Sequence, residues 1–159
     1  MEKNKLKLSI IVRTFNRLEY TMRSIVSIYE QCGLDPDLYE IIVVDMGSTD
    51  GTREWLKAIK DDGYYPVRPV FMEKNVGDGL GMQVGIEYAK GEFIAQHDND
   101  ILLQTNGYYK KLLNIYKEIN MKYKTCAIGG VHRQGSNFDS APYKFASKRE
   151  MKSLGVAAD

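Results

Sequence analysis

Residues 39–52 read Tyr39-Glu40-Ile41-Ile42-Val43-Val44-Asp45-Met46-Gly47-Ser48-Thr49-Asp50-Gly51-Thr52. Four consecutive branched aliphatics predict a strand over Tyr39–Asp45 that is covered on both faces, because a strand with one wet face alternates apolar and polar residues. Ser48-Thr49-Asp50 is rich in residues that cap helix N-termini. Trp55, Leu56 and Ile59 supply the apolar side of the helix that follows. This segment therefore reads as a buried strand running into a helix.

The same alternation extends in both directions. Leu6 to Val12 predicts a first strand, and Leu18, Met22, Ile25, Val26 and Tyr29 recur at helical spacing over residues 17–31. Gly33 and Pro36 stand where that helix should stop. Val67 to Met72 predicts a third strand. Residues 79–89 have a helical pattern that Gly81 and Gly85 weaken. Phe93 to His97 predicts a fourth strand, and Tyr108, Leu112, Ile115, Tyr116 and Ile119 mark a long helix. A fifth strand is expected over Thr125–Val131, a loop over 133–142, a short strand over Tyr143–Ala146 and a helical turn over Lys148–Leu154. Strands alternating with helices imply an α/β fold of Rossmann type, with a mainly parallel central sheet, right-handed crossovers and flanking helices. Residues 1–132 are expected to form the main domain and 133–159 a short further segment.

Composition bounds the function. The chain has 159 residues with 22 Lys+Arg, 21 Asp+Glu and 43% hydrophobic residues, as in an ordinary globular protein. Residues 1–100 carry 12 basic and 17 acidic groups, a net of −5, and residues 101–159 carry 10 and 4, a net of +6. The basic part reads as solvated helix faces or as a surface for a phosphate-bearing or membrane-associated acceptor. No block of consecutive like charges points to nucleic acid. The aliphatic runs are too short for a transmembrane segment, and the N-terminus shows no secretory signal. Cys32 and Cys126 form no framework or metal-ligand spacing. A cytoplasmic location is expected, with peripheral membrane attachment as the alternative.

In open parallel sheets, ligands bind beyond the carboxyl ends of the strands. There the sequence places Arg13-Thr14-Phe15-Asn16-Arg17, then Asp45 to Thr52, then Asn75-Val76-Gly77-Asp78-Gly79-Leu80-Gly81, then Asp98-Asn99-Asp100. Two carboxylates one residue apart suit a hard divalent cation, since Mg²⁺ and Mn²⁺ prefer oxygen ligands. The same triplet also fits a solvated turn. Asp45 suits a hydrogen bond from a nucleobase or ribose, or a capping role. Arg17, a cation at a helix N-terminus, opposes the dipole unless it meets an anion. Glycines 77, 79 and 81 allow close backbone approach but form no GxGxxG, and GxxxxGK[ST] is absent, which removes the main support for a dinucleotide fold or a P-loop. His97 reads as a core histidine or a metal-shell group. Tyr108 and Tyr109 read as helix-face residues or as a platform for a sugar ring.

Together these stretches resemble the family 2 glycosyltransferases. Leu8-Ser9-Ile10-Ile11-Val12-Arg13-Thr14-Phe15-Asn16-Arg17 is similar to the family's opening strand, and Ile42 to Thr52 to its second motif. Asn75-Val76-Gly77 with Gly91-Glu92-Phe93-Ile94-Ala95 resembles its central stretch, and Asp98-Asn99-Asp100 falls where the family carries its DXD motif. The resemblance implies a GT-A fold, a nucleotide-diphosphate sugar donor, a UDP-sugar foremost, and Mn²⁺ or Mg²⁺. It implies inverting transfer to the hydroxyl of a saccharide, lipid-linked or protein acceptor. It places Thr14, Phe15, Asn16, Arg17, Asp45, Gly47, Ser48, Gly77 and Asp98 at the donor. Asp98 would contact the ribose or sugar or help hold the metal, and Asp100 would be the main metal ligand. Met46 stands where the family usually has Asp or Asn, and Gln83 where many members have Asn. Phe145 to Asp159 loosely resembles the run leading into the loop that carries the family's base, and no base is assigned. The alternative expectation is a nucleotide-sugar-binding module without turnover.

Overall fold

The computed structural model describes residues 6–123 and 127–128. Its elements run β1 (Leu8–Thr14), α1 (Leu18–Gln31), a 3₁₀ turn (Pro36–Leu38), β2 (Tyr39–Asp45), α2 (Thr52–Asp62), β3 (Val67–Phe71), α3 (Asp78–Tyr88), β4 (Phe93–Asp98) and α4 (Tyr108–Tyr123). The strands form one sheet in the order β3-β2-β1-β4, and every pairing is parallel. The expected α/β architecture, a parallel sheet flanked by helices, is the one present. The strand expected over 125–131 falls outside the described residues apart from 127–128. The strand at 143–146, the turn at 148–154 and the boundary after residue 132 all lie outside them.

The central strands carry the core. Every residue of β1 and of β2 is buried. Leu8, Ile10, Val12, Ile41 and Val43 are among the buried residues, with Ile25 and Ile28 of α1 and Leu56 of α2. On the opposite face Ile11, Ile42, Val44, Met46 and Val70 form one cluster. β4 alternates differently: Ile94, Gln96 and Asp98 are exposed while His97 is buried.

Two differences from the sequence reading have clear causes. The helix over 79–89 is weak by propensity, yet α3 forms from Asp78 to Tyr88. A Cβ on Gly81 would lie 2.8 Å from Met46 Sδ, and one on Gly85 would overlap Ile11 Cγ2. The two glycines, one helical turn apart, let the helix lie directly on the sheet, and packing outweighs a propensity cost of about 1 kcal/mol per glycine. The first strand starts two residues later than expected and runs on to Thr14. As an inner strand it is hydrogen-bonded on both sides, so its ladder continues through Arg13 and Thr14, opposite Asp98 and Asp45.

The chain divides into two compact units, residues 1–111 and 112–159. The whole sheet belongs to the first. In the second, the described residues are the remainder of α4 with residues 127–128. Among the described residues no helix is long and apolar enough to cross a membrane.

Candidate functional site

A sheet ordered β3-β2-β1-β4 changes direction between β1 and β4: from β1 the chain proceeds to β2 and β3 on one side, then returns to place β4 on the other. In such folds ligands bind in the crevice outside the carboxyl ends of the strands, at this switch point. Two arginines meet the two acids of the triplet there. Arg13 Nη2 lies 3.0 Å from Asp98 Oδ1, and Arg17 Nη1 lies 2.8 Å from Asp100 Oδ2. The pairs differ in setting. Arg13 is enclosed, with a side chain only 6% exposed, whereas Arg17 and Asp100 are both about half exposed, at 53% and 47%. The exposed pair is worth about 0–1 kcal/mol and is readily exchanged for another partner.

The acidic triplet is held by its middle residue. Asn99 is buried, and its amide donates to the hydroxyls of Thr14 and Thr21, each at 3.2 Å. With Asn99 drawn inward, Asp98 and Asp100 are left on the crevice side, and both are about half exposed.

The loops after β1 and β2 are joined by side chains. Asn16 takes a left-handed backbone conformation, φ 51°, which Asn tolerates better than most residues. Its N–H donates to Ser48 Oγ at 2.9 Å, and its Oδ1 accepts from Thr49 N–H at 2.7 Å. Asp50 serves two helices. Oδ2 accepts from Leu18 N–H at 2.9 Å, supplying the cap that Arg17 cannot, and Oδ1 accepts from the N–H and hydroxyl of Thr52. Burial pushes the Asp50 carboxyl upward, but the hydrogen bonds from Thr52 and Leu18 outweigh that and hold it below its ordinary value. Gly47 has φ 84°, and a Cβ there would come within 2.9 Å of the Glu73 carbonyl. Only glycine lets the 73–74 backbone pass so close.

Several expected site residues lie beneath this surface. Thr14 is enclosed, with its hydroxyl 2.7 Å from that of Thr21. Asp45 is fully buried, 3.0 Å from Arg53 Nε, and accepts from Ser48 N–H. Phe15 is 39% exposed at the mouth of the loop. Gly77, φ 85°, precedes α3 and donates its N–H to Asn75 Oδ1 at 2.9 Å. His97 is a core residue: Nδ1 meets the Tyr109 hydroxyl at 2.9 Å and Nε2 the Ile101 carbonyl at 3.2 Å. Burial lowers its pKa below 6.5, and burial raises that of Tyr109 well above 10.0. Tyr109, buried and engaged by His97, is turned inward and forms no sugar platform.

The sequence reading assigned no role to Arg13, Asp78, Arg53 or Thr21. Arg13 Nη1 lies 2.6 Å from Asp78 Oδ2 at the start of α3, so one guanidinium bridges α3 and β4. The available signal was an arginine at the end of an otherwise apolar strand, a position where a charge needs partners.

The described residues contain no group of three or more His, Cys, Asp or Glu able to hold a metal ion. The donors present are the two carboxylates of the triplet. That set is too small for an ion held by protein alone, and it fits a hard cation that arrives with phosphate oxygens and waters of its own.

A parallel sheet with charged pairs at its switch point defines an α/β protein of the class that binds ligands at the carboxyl edge. Residues 9–153 match the family described as Glycosyl transferase family 2, and the chain belongs to that family. It is 33% identical over 95 residues to an uncharacterized glycosyltransferase of Nostoc sp., covering 60% of this chain and 28% of the relative. Among solved structures it is similar to the mannosyltransferase PcManGT from Pyrobaculum calidifontis in complex with GDP-Man and Mn²⁺ (TM-score 0.60, 26% identity, 72% of this chain and 32% of that one). It is also similar to residues 1–349 of S. aureus TarS in complex with UDP (TM-score 0.62, 25% identity, 71% and 32%). The fold is that of the GT-A glycosyltransferases. The chain spans 28% and 29% of the lengths of two curated relatives it matches.

Proposed function

We propose that this chain is the donor-binding part of a glycosyltransferase that moves a sugar from a nucleoside-diphosphate sugar to an acceptor hydroxyl. The observation that carries the reading is the pairing of Arg17 with Asp100 and of Arg13 with Asp98 at the β1/β4 switch point. A half-exposed arginine, Arg17, and two half-exposed carboxylates there match a ligand that is anionic at its diphosphate and brings a cation with it. The solved neighbours that contain GDP-Man with Mn²⁺ or UDP support the same ligand class.

The residues divide the work by exposure. The Phe15 ring offers an apolar face to the base. Arg17 leaves Asp100 for the diphosphate. Asp98 accepts a hydrogen bond from a ribose or sugar hydroxyl. Asp100 would hold Mn²⁺ or Mg²⁺, with Asp98 as a second ligand, and a cation held there would supply neutralising charge for the departing diphosphate. Thr14, Asn16, Asp45, Gly47, Ser48 and Gly77 shape the loops that receive the donor; Asp45, being fully buried, acts through Ser48 and Arg53. In the transfer, the acceptor oxygen bonds to the anomeric carbon as the bond to the diphosphate oxygen breaks. The acceptor proton passes to a base, and the anomeric configuration inverts. The acceptor is a saccharide, lipid-linked or protein acceptor.

The test is a thermal-shift and calorimetric screen of UDP, GDP and their sugars, with and without Mn²⁺. A ligand at about 100 times its Kd adds roughly 2.7 kcal/mol and a clear rise in melting temperature. Metal-dependent binding of one nucleoside diphosphate is the expected result. Indifference to every nucleotide with metal present would overturn the reading.

A further inference from the structure

We infer that Arg13 is a positioning residue for the donor: a buried guanidinium that sets the orientation of Asp98 and ties it to the first turn of α3. This inference rests on the donor-binding reading above. Arg13 and Asp98 are register partners in the β1–β4 ladder, so both side chains leave the sheet on the same face at adjacent positions. Arg13 is 6% exposed, while its partners Asp98 and Asp78 are 53% and 76% exposed. The positive charge is thus fixed inside the protein and its acids reach out from it.

The fork geometry matters. Nη2 takes Asp98 Oδ1 at 3.0 Å, and Nη1 takes Asp78 Oδ2 at 2.6 Å and the Asp78 carbonyl at 3.3 Å. The stem is fixed as well. Gly81 has no side chain, and a Cβ there would sit 3.7 Å from both Cγ and Cδ of Arg13, so the helix lies along the methylenes. A rigid fork on a packed stem holds two carboxylates at a set separation. A lysine ammonium reaches either acid as a point charge but does not reproduce the planar bridge. Arg13 engages Oδ1 of Asp98, and the carboxylate is still half exposed, which leaves it open to a ligand. Asp78 directly follows the loop 75–77, so its tie to Arg13 anchors the end of that loop. Arg13 therefore sets two parts of the donor site at once without touching the donor.

The relationship with Asp100 is different. Its partner is Arg17, on a half-exposed pair that shares no atom with the Arg13 bridge. Arg13 should be energetically coupled to Asp98 and independent of Asp100 in ligand binding.

The test is a pair of double-mutant cycles on the full chain. It is read by calorimetry with Mn²⁺ and whichever of UDP or GDP the wild type binds more tightly. Arg13→Gln and Asp98→Asn should each weaken binding by about tenfold, and the double variant should bind no more weakly than the poorer single one. Arg13→Gln with Asp100→Asn should instead show the product of the two losses. Arg13→Lys, which keeps the charge, should still lose several-fold. If Arg13→Gln does not fold, the Arg13→Lys and Asp98→Asn cycle carries the same comparison. Wild-type affinity in Arg13→Lys, or additive losses for Arg13 and Asp98, would overturn the inference while leaving the donor reading intact. A wild type that binds neither nucleotide would overturn the donor reading and this inference with it.

Discussion

The Asn99 side-chain amide donates to the Thr14 hydroxyl at 3.2 Å, and that single contact joins the turn after β4 to the end of β1. The central residue of the acidic triplet is therefore an anchor, and its two neighbours are left for the ligand. Asn99→Ala removes the donor shared by Thr14 and Thr21, whose hydroxyls still bond each other. A loss of about 1–2 kcal/mol is expected, because a buried hydrogen bond contributes about that much. Urea unfolding measures it, and weaker nucleoside diphosphate binding should accompany it. An unchanged midpoint would mean that the anchor contributes nothing.

Asp50 caps α1 and α2 with one carboxylate. Asp50→Ala should cost roughly 2 kcal/mol, more than an ordinary cap, since two helix N-termini lose their acceptor. The pH dependence follows from a carboxyl held below 3.8 in the folded protein. Its contribution is complete above about pH 3.8, the unfolded value, and is lost as pH falls through the lower folded one. Thermal melts from pH 6 to pH 2.5 should show a smaller acid-induced loss in Asp50→Ala than in the wild type. Parallel curves would remove the assignment.

Asp100 and Arg17 form an exposed pair, so Asp100→Asn should shift the melting temperature little. The same variant should lose the Mn²⁺-dependent part of nucleoside diphosphate binding, by about tenfold or more, equivalent to about 1.4 kcal/mol. Arg17→Ala should weaken binding through the phosphates and leave the fold intact. Calorimetry with and without Mn²⁺ separates the two effects. Equal metal enhancement in Asp100→Asn and wild type would exclude Asp100 as a ligand.

Gly85 faces Ile11 so closely that an added methyl would overlap Cγ2. Gly85→Ala should destabilise by about 1–3 kcal/mol, despite the better helix propensity of alanine. Pairing it with Ile11→Ala should cost less than the sum of the two separate losses, because the second change makes room for the first. Additive losses would show that the helix is not pressed against Ile11.

Much of the architecture was legible in the chain itself. The aliphatic runs at 8–12, 41–44 and 93–95 mark three strands, and the alternation with helical periods indicates a parallel sheet before any contact is known. The acidic triplet was legible as a candidate, and its placement after an apolar strand pointed to the carboxyl edge. Arg13 was not legible as a bridging residue, because an arginine at a strand end reads as the start of a loop. Its partners lie 65 and 85 residues away, and nothing local reveals them. Glu40 escaped notice for the same reason. It is buried, with Ser9 Oγ donating to it at 2.7 Å and Arg68 forming an ion pair at 3.2 Å.

Local chemistry was enough to specify which segments become strands and helices, since periodicity and capping act over a few residues. It also placed the polar motifs at the ends of the strands. Tertiary packing alone decided how those motifs are shared out. It buried Thr14, Asp45 and Asn99 as supports, left Phe15, Arg17, Asp98 and Asp100 at the crevice, and drew Arg13 inside between two acids. The physical reason is that burial and charge pairing depend on residues brought together across the sheet. A buried charge is tolerated only where the fold supplies its partners.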